Sequence, residues 1–470
     1  MHKPGDLPAK ETDVDERRRS LLATTGAVLA GGALLLGGAE RADAAPRTAR
    51  SPGGTAGRAA RLIPGQPGRD YQPVVVPNGS KLPWKVVDGA KVFHLVAEEV
   101  EHELAPGLKA LCWGYNGRVH GPLLEAVEGD HVRIYVTNRL PAPTTLHCHG
   151  VLLPNGMDGV GGLTQKAIAP GETFKYELTL RQHGTLMYHS HHDEMTQMAL
   201  GMTGLIVVHP RASRRPKADR DFALMLHEWK INPGARRPDP NEMSEFNVLT
   251  INGKAFPGTE PLVVEKGQRV RIRIGNLSAM DHHPIHLHGY RFWITETDGG
   301  VIPESAQWPE TSVLVPVGST RTIEFLADVS GDWAMHCHMT HHVMNQMGHG
   351  FPNLVGVKPG ALDAKVRRLL PGYMTMGQTG MGEMGEMGMP VPSNSIPMVG
   401  ARGKHDYITM GGMFTVLKVR DELTSYQDPG WYDNPRGTLA SAATPADLHR
   451  DGIDPGAAPR GDSSPVVRFG

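Results

Sequence analysis

Short stretches of alternating apolar and polar residues make up most of the chain. Residues 127–138, 172–180 and 205–209 alternate or cluster apolar side chains over the length of a strand, and turns rich in Gly, Pro and Asn separate them. Residues 47–70, by contrast, are mostly Gly, Pro, Arg and Ala without periodicity. The pattern predicts an all-β fold that begins near Val74 and is preceded by a linker that packs little.

One block of this strand pattern occurs twice. Residues 128–138 read EGDHVRIYVTN, and residues 266–276, which lie 138 positions later, read KGQRVRIRIGN. Each block leads to a His-x-His-Gly segment and then to a second histidine pair, at 147–150 and 189–191 in the first copy and at 286–289 and 336–338 in the second. The repeat predicts two copies of one β-domain.

Both copies have the length of a small β-sandwich, which places the two domains at 74–215 and 216–365. A third complete domain does not fit. We expect residues 46–73 to be a linker, and residues 366–470 to be a methionine-rich, irregular extension with a disordered tail. A strand pattern at 407–419 interrupts that extension.

The first 45 residues (1–45) have the pattern of an export signal. Arg17, Arg18 and Arg19 precede an apolar run at 21–36, and small residues follow at 42–44. The segment resembles a twin-arginine signal peptide, and its apolar run is too short and too rich in Ala and Gly to span a membrane. We therefore expect export to the periplasm or to the outside of the cell, with no membrane span after signal removal.

Charge and cysteine content exclude two classes of protein. The 48 Lys and Arg residues nearly balance the 49 Asp and Glu residues, so no overall field favours nucleic acid or an anionic membrane. Three cysteines cannot all pair, which excludes a disulfide scaffold and leaves at least one thiol free. Cys112 and Cys148 either pair in an oxidising compartment or are both buried free thiols.

Histidine pairs are the chemical feature that the two copies share. Residues i and i+2 of a strand point the same way, so each His-x-His presents two imidazoles to one side. Four such pairs can surround a metal cluster, and neutral imidazole suits copper, zinc, iron or nickel. The histidines alone therefore predict a metal site without selecting the metal.

Cys337 indicates which metal the site binds. It lies between the two histidines of the last pair and faces away from them, toward a separate site that His283, His342 and the thioether of Met347 complete. Two His, one Cys and a weak axial Met describe a blue-copper electron-transfer centre. Because Cys337 is joined through its own backbone to two histidines of the neighbouring cluster, the sequence predicts a short covalent route for electrons.

The histidine segments together are similar to the four copper motifs of the multicopper oxidase family. The similarity covers residues 74–357 and leaves out the signal and the tail. It implies two cupredoxin-like Greek-key β-sandwich domains and four coppers per functional unit, one of type 1, one of type 2 and two of type 3. By position, the type 1 ligands would be His283, Cys337, His342 and Met347, the type 2 ligands His147 and His286, and the type 3 ligands His149, His189, His191, His288, His336 and His338.

The first copy lacks the residues of a type 1 site. The repeat places Thr144 opposite His283, Ser190 opposite Cys337, Met195 opposite His342 and Leu200 opposite Met347. A single blue copper in the second domain resembles the two-domain laccases, which are trimers with each trinuclear cluster between domain 1 of one subunit and domain 2 of the next. The resemblance implies a homotrimer.

The resemblance also implies an activity, which is one-electron oxidation of a small reducing substrate coupled to four-electron reduction of O2 to water. The substrate would be a phenol or a reduced metal ion such as Cu(I), and electrons would arrive at the ring edge of His342. Asp158 matches a family carboxylate that assists proton transfer, although an Asp before Gly is also a common turn. A copper nitrite reductase, which lacks a type 3 pair, and a non-catalytic copper carrier are the alternatives.

Residues 374–389 hold six methionines among Gly and Glu, a composition that forms neither a core nor a stable helix. Soft thioethers favour Cu(I), and such segments resemble those of copper-tolerance oxidases, which oxidise cuprous ions. The alternative is a flexible loop without metal. A copper-tolerance cuprous oxidase is thus the more specific prediction of function. After Pro429 we expect little order in the chain.

Overall fold

β-strands are the main regular elements of the part of the chain that the structure describes. The structure, a computed structural model, describes residues 62–212, 216–232, 234–345, 364–365, 368–369, 393–397 and 400–457. The predicted signal at 1–45, Met347 and the methionine-rich residues 374–389 lie outside the described residues. Within them the predicted all-β class is confirmed, and no helix is long and apolar enough to cross a membrane.

The strands fall into two groups that follow the sequence repeat. The first group is β1 (Trp84–Val87), β2 (Ala90–Ala105), β3 (Leu108–Tyr115), β4 (Leu124–Val127), β5 (His131–Asn138), β6 (His147–His149), β7 (Thr173–Thr179), β8 (Gly184–His189) and β9 (Thr203–His209). The second group is β10 (Arg220–Trp229), β11 (Val248–Ile251), β12 (Leu262–Glu265), β13 (Arg269–Asn276), β14 (His283–Leu287), β15 (Phe292–Thr297), β16 (Gly300–Val301), β17 (Trp308–Glu310), β18 (Ser312–Val315), β19 (Ser319–Leu326), β20 (Gly331–Cys337), β21 (Ala401–Arg402), β22 (Tyr407–Ile408) and β23 (Phe414–Arg420). The described residues also include the helices α1 (Glu194–Ala199) and α2 (Pro445–Asp451), with 3-10 turns at Asn155–Met157, Glu304–Ala306 and Thr340–Val343.

The first group of strands forms two sheets that share an apolar core. One sheet has the order β1-β2-β5-β7 with β3 beside β2, and the other has the order β4-β9-β8-β6. In β5, Val132, Ile134 and Val136 are buried in that core while the residues between them stay partly exposed. This period of two is the one that the sequence pattern predicts.

The second group repeats this arrangement, but one of its strands comes from much later in the chain. Its sheets have the orders β11-β10-β13-β19-β15-β16, with β17 beside β15, and β12-β23-β20-β14-β18. Strands β12, β23, β20 and β14 pair with one another in the same directions as β4, β9, β8 and β6. Strand β23 therefore takes the place that β9 has in the first copy, although it lies beyond the predicted domain end at residue 365.

A buried arginine joins the two groups of sheets. Arg273 on β13 donates from Nε and Nη2 to the two carboxylate oxygens of Asp221, at 2.8 and 3.0 Å. Its Nη1 donates to Glu296 at 3.1 Å and to Oγ1 of Thr185 on β8 at 2.9 Å. Because two carboxylates balance the guanidinium and its donors are satisfied, the buried charge is tolerated and fixes β8 against the second sheet pair.

The described residues after Pro429 are mostly exposed and include one short helix, α2. Thr444 and Asp447 form a reciprocal capping box at the start of α2, which satisfies free backbone N–H groups at that end of the helix. Closer to the sheets, the ring of Trp431 lies 4.7 Å from Nζ of Lys418 on β23. The chain that follows β23 therefore packs back on the second sheet pair.

Candidate metal centres

Four histidines of the first copy lie together, and we call them the first quartet. His147 and His149 flank Cys148 on β6, and His189 and His191 lie at the end of β8, which pairs with β6 so that His147 opposes His189. The ring centroids are 5.2 Å apart for His147 and His189 and 6.0 Å apart for His189 and His191. The strand period thus brings four imidazoles to one place.

Four histidines of the second copy form a matching second quartet. His286 and His288 lie on or beside β14, and His336 and His338 lie at the end of β20, with His286 opposite His336. The ring centroids are 4.8 Å apart for His286 and His288 and 5.7 Å apart for His336 and His338. Both copies therefore use the same pair of strands to present the same set of rings.

Hydrogen bonds fix the rings of the first quartet. Nδ1 of His147 donates to the carbonyl of Asp158 at 2.7 Å, and Nδ1 of His189 donates to the carbonyl of Ser190 at 2.8 Å. Nε2 of both rings is then left with a lone pair, and Nε2 of His189 lies 3.4 Å from Nδ1 of His149. Metal-binding histidines are typically held by their other ring nitrogen in this way.

The second quartet is held by equivalent contacts. Nδ1 of His286 donates to the carbonyl of Thr311 at 2.7 Å, and Nδ1 of His336 donates to the carbonyl of Cys337 at 2.8 Å. Nε2 of His336 lies 3.1 Å from Nε2 of His288. Two ring nitrogens at this separation fit one metal ion with bonds of about 2.0–2.1 Å.

Burial favours the neutral form of four of the eight imidazoles. It lowers the pKa of His189 to about 3, and it also lowers the pKa values of His149, His288 and His336, with a further contribution from neighbouring histidines. A neutral ring keeps the lone pair that a metal requires. The two quartets therefore fit copper as a ligand set of imidazoles.

The two quartets are separate within one chain. All eight histidines belong to the part of the chain that the structure describes, and there no ring contact joins a histidine of one quartet to a histidine of the other. His288 and His338 of the second quartet are exposed to solvent. Each quartet thus presents half of the ligand set that the sequence predicts for one trinuclear cluster.

A different centre involves Cys337, the last residue of β20. Its Sγ is 3.4 Å from Nδ1 of His342 and 3.8 Å from Nδ1 of His283, and the two nitrogens are 3.1 Å apart. All three residues are buried. Bonds of about 2.0 Å to nitrogen and 2.3 Å to sulfur let one ion contact all three atoms. Two His and one Cys are the equatorial donors of a blue-copper centre.

The outer nitrogens of these two rings have partners from one loop, between β13 and β14. Oγ of Ser278 lies 2.6 Å from Nε2 of His283, and Oδ2 of Asp281 lies 3.4 Å from Nε2 of His342. Burial raises the pKa of the Cys337 thiol to about 12, so a metal that binds there must displace a proton.

A cavity of about 200 Å³ reaches the ring of His342. Asp281, Glu245 and Met344 are among the residues that line it. Behind Asp281, the buried carboxyl of Glu228 accepts the backbone N–H of Met280 at 2.6 Å and of Asp281 at 3.2 Å. Sequence reasoning missed these acidic residues because they come from separate elements and form no local motif.

The equivalent position in the first copy contains hydroxyls and an amide. Oε1 of Gln197 accepts a hydrogen bond from Oγ1 of Thr144 at 2.7 Å and from Oγ of Ser190 at 2.6 Å. Thr144 and Ser190 stand opposite His283 and Cys337 in the repeat. Within the described residues, this network offers neither imidazole nor thiolate to a metal.

Two carboxylates lie beside the first quartet. Oδ1 of Asp158 is 3.5 Å from Nδ1 of His147, the same nitrogen that the backbone carbonyl of Asp158 accepts from. Glu194, at the start of α1, places one carboxylate oxygen 3.5 Å from Nδ1 of His189 and the other 3.6 Å from Nε2 of His191. The sequence predicts Asp158 at this place, whereas Glu194 carries no recognisable signal.

The remaining cysteines are unpaired. Cys112 and Cys148 are buried free thiols, which settles the two alternatives that the sequence leaves open. Burial raises the pKa of both thiols to about 12, so they are neutral and unreactive at ordinary pH.

Comparison with known proteins gives consistent matches. Residues 97–213 and residues 232–356 match two family models that are both described as multicopper oxidase, and together these matches cover just over half of the chain. The chain is similar to a solved structure of a blue copper oxidase from Nitrosomonas europaea, with a TM-score of 0.52 and 26% identity over 70% of this chain and 85% of that one.

Two curated relatives are matched over shorter parts of their length. A probable nitrite reductase-hydroxylamine oxidoreductase fusion protein of Kuenenia stuttgartiensis is 28% identical over 274 residues, which are 55% of this chain and 31% of that protein. Copper resistance protein A of Pseudomonas syringae pv. tomato is 27% identical over 241 residues, which are 41% of this chain and 39% of that protein. The chain therefore spans well under half of the length of these two relatives.

Proposed function

Since the chain belongs to the multicopper oxidase family, we propose that it couples the one-electron oxidation of a small reducing substrate to the four-electron reduction of O2 to water. One observation carries this proposal. Cys337 contributes Sγ to the buried His2Cys centre while the residues on either side of it, His336 and His338, belong to the second quartet. A centre that accepts electrons and a centre of many imidazoles thus share one strand.

Four coppers per functional unit are part of this proposal. We propose type 1 copper at His283, Cys337 and His342, type 2 copper at His147 and His286, and a type 3 pair at His149, His189, His191, His288, His336 and His338. Copper, when bound, supplies a one-electron acceptor at the first of these sites and the multi-electron chemistry that O2 reduction requires at the others. The chain supplies imidazoles, five of which are already held through their other ring nitrogen by a backbone carbonyl or a hydroxyl.

The substrate is proposed to bind in the cavity beside His342. His342 is among the residues that line that cavity, so a small reductant there lies next to a member of the His2Cys centre. Asp281 and Glu245 give the cavity an acidic wall, which suits a hydroxyl donor such as a phenol or a cation such as Cu(I).

Protons are proposed to reach the oxygen site through Asp158. Its backbone carbonyl holds the ring of His147, and its carboxylate lies 3.5 Å from that ring and is partly exposed to solvent. A carboxylate so placed can take a proton from water and pass it toward the quartet. Glu194, beside His189 and His191, is placed to do the same.

A homotrimer is proposed because one chain presents two separate quartets that each provide half of the trinuclear ligands. In a closed ring of three copies, the first quartet of one subunit would face the second quartet of the next. We also propose that the two sheet pairs are the two predicted domains, and that the twin-arginine-type signal directs the protein to the periplasm or outside the cell.

A cuprous oxidase is the second candidate. It is favoured by the similarity to a protein named copper resistance protein A and by the six methionines in residues 374–389. A nitrite reductase is less well supported, although one relative carries that name, because the chain has all six predicted type 3 histidines.

Steady-state oxygen uptake tests both candidates. The copper-loaded full chain should consume O2 with a substituted phenol or with Cu(I), four electrons per O2 and without accumulating peroxide. A variant in which the six methionines of residues 374–389 are replaced by leucine keeps the length of the segment. Loss of Cu(I) oxidation alone would identify a cuprous oxidase, whereas a blue, copper-loaded protein that takes up no O2 with either reductant would be a copper carrier.

A further inference from the structure

One methionine that motif spacing does not select lies against the His2Cys centre. Met413 precedes β23 and is fully buried. It belongs to the same cluster of buried apolar side chains as Cys337, Ile285 and Met335. The thioether of Met413 is thus part of the interior that surrounds Cys337.

The register of β20 and β23 places Met413 directly opposite Cys337. His336 pairs with Phe414 in this antiparallel ladder, and the N–H of Cys337 donates to the carbonyl of Met413 at 3.1 Å. Opposed residues of antiparallel strands point to the same face with Cβ atoms about 4.5–5.5 Å apart. The rings of His336 and Phe414 stack on one face, so the side chains of Cys337 and Met413 share the other.

Backbone contacts also tie this segment to the turn that carries His342. The N–H of Met413 donates to the carbonyl of His342 at 3.0 Å, and the N–H of Gly411 donates to the carbonyl of Val343 at 2.7 Å. Gly412 has φ +56°, and a Cβ there would lie 2.4 Å from the carbonyl oxygen of His342. Only glycine allows this approach, which fixes Met413 relative to two of the three donors.

The internal repeat gives an independent argument. In the first copy the N–H of Ser190 donates to the carbonyl of Met202 at 3.3 Å, just as Cys337 does to Met413 in the second. Strands β9 and β23 have the same neighbours in their sheets, so Met202 and Met413 are equivalent positions. Because Ser190 is the counterpart of Cys337, Met413 occupies the position beside the type 1 cysteine in the second copy.

We infer that Sδ of Met413 is the axial donor of the type 1 copper and that Met347, which has the motif spacing, is not. A weak thioether above a His2Cys plane completes a blue-copper site, and its strength tunes the reduction potential. The inference rests on the proposed function only in that copper must occupy the site of His283, Cys337 and His342.

Matched variants of the two methionines test the inference without any substrate. Met413→Leu, Met413→Gln, Met347→Leu and Met347→Gln are loaded with copper, and the type 1 reduction potential, the visible spectrum and the electron paramagnetic resonance spectrum are recorded. We expect Met413→Leu to raise the potential, because a donor that stabilises Cu(II) is lost, and Met413→Gln to lower it, because an oxygen donor is harder. Opposite shifts at one position distinguish ligation from a packing defect.

Both Met347 variants should keep the potential and the spectra of the unmodified protein. A shift in the Met347 variants, or no shift in the Met413 variants, would overturn the inference. If the Met413 variants lose type 1 copper altogether, the two Met347 variants decide which methionine is the axial ligand. Unchanged spectra of the Met347 variants exclude Met347, and altered spectra identify it as the ligand. An unmodified protein that shows no blue band when loaded with copper would instead contradict the proposed function.

Discussion

Replacing Glu228 by Gln should change how the stability of the protein depends on pH. Glu228 lies on β10, is 1% exposed, and accepts the N–H groups of Met280 and Asp281 with one oxygen. Its other oxygen has no hydrogen-bond partner among the described residues. Burial raises the pKa of this carboxyl from 4.5 to about 8.

The sign and size of the effect follow from this pKa. A carboxyl whose pKa is raised by folding stabilises the folded state most below pH 4.5, and that contribution is lost as the pH rises to about 8. At about 1.4 kcal/mol per pKa unit the full effect is about 5 kcal/mol, and relaxation of the exposed loop reduces it to a few kcal/mol. Glutamine keeps the acceptor oxygen for the two N–H groups but has no proton to lose.

Guanidinium unfolding of both proteins between pH 5 and pH 9 measures the difference. Glu228→Gln should be within about 1 kcal/mol of the unmodified protein at pH 5 and more stable by about 2–5 kcal/mol at pH 9. Glu304→Gln, which removes an exposed carboxyl, is the control and should leave the pH dependence unchanged. Parallel curves for Glu228→Gln and the unmodified protein would refute the reasoning.

Three further predictions concern the metal centres. Asp158→Asn should lower the rate of oxygen uptake by about 10–100-fold with an unchanged blue band, and an unaffected rate would remove Asp158 from proton transfer. Gly412→Ala should lower the free energy of unfolding by about 1–3 kcal/mol, measured by thermal unfolding, because the new Cβ would lie 2.4 Å from the carbonyl oxygen of His342 and φ is +56°. Equal stability of the two proteins would contradict the close approach. Burial raises the pKa of Cys337 to about 12, so copper binding should release one thiol proton. The affinity of the type 1 site for copper should therefore rise about tenfold per pH unit between pH 7 and pH 8, as measured by competition with a chelator. No proton release on copper binding would contradict that pKa.

The histidine quartets could be predicted from sequence because the strand period is local information. A His-x-His on a strand must present both rings to one side, and the repeat shows which pairs share a ladder, such as His147 with His189. The same period correctly places Cys337 on the face opposite its neighbours, where it meets His283 and His342. The all-β class follows from the same signal.

Contacts between distant segments could not be predicted in this way. Motif spacing could not point to Met413, because β23 enters the sheet far downstream of His342. Glu228 and Asp281 meet only because β10 lies beside β13, whose following loop carries Asp281. Nothing in the local sequence around Glu228 signals its burial next to that loop.

Contacts made by the chain after Pro429 are also absent from the local sequence signal. Gly and Pro near Pro429 read as irregular chain, but Trp431 packs on Lys418 of β23, and this tertiary contact outweighs local composition. The strand pattern at 407–419 signals β23 but not its place in the sheet. The similarity of Gly201-Met202 to Gly412-Met413 would give that place, but the changed offset between the copies hides it from a repeat search at fixed spacing.

Mixtures of two variants test most directly the central proposal that neighbouring copies of this chain build the oxygen site from their two quartets. His191→Ala breaks the first quartet and His338→Ala breaks the second, and neither variant alone should consume O2. Co-assembled in equal amounts, they should regain about one quarter of the activity of the unmodified protein, because one contact in four joins two intact quartets. A chain carrying both changes, mixed equally with the unmodified chain, should also give about one quarter. No recovery from the two single variants, together with about one half from the second mixture, would show that each chain builds its oxygen site alone.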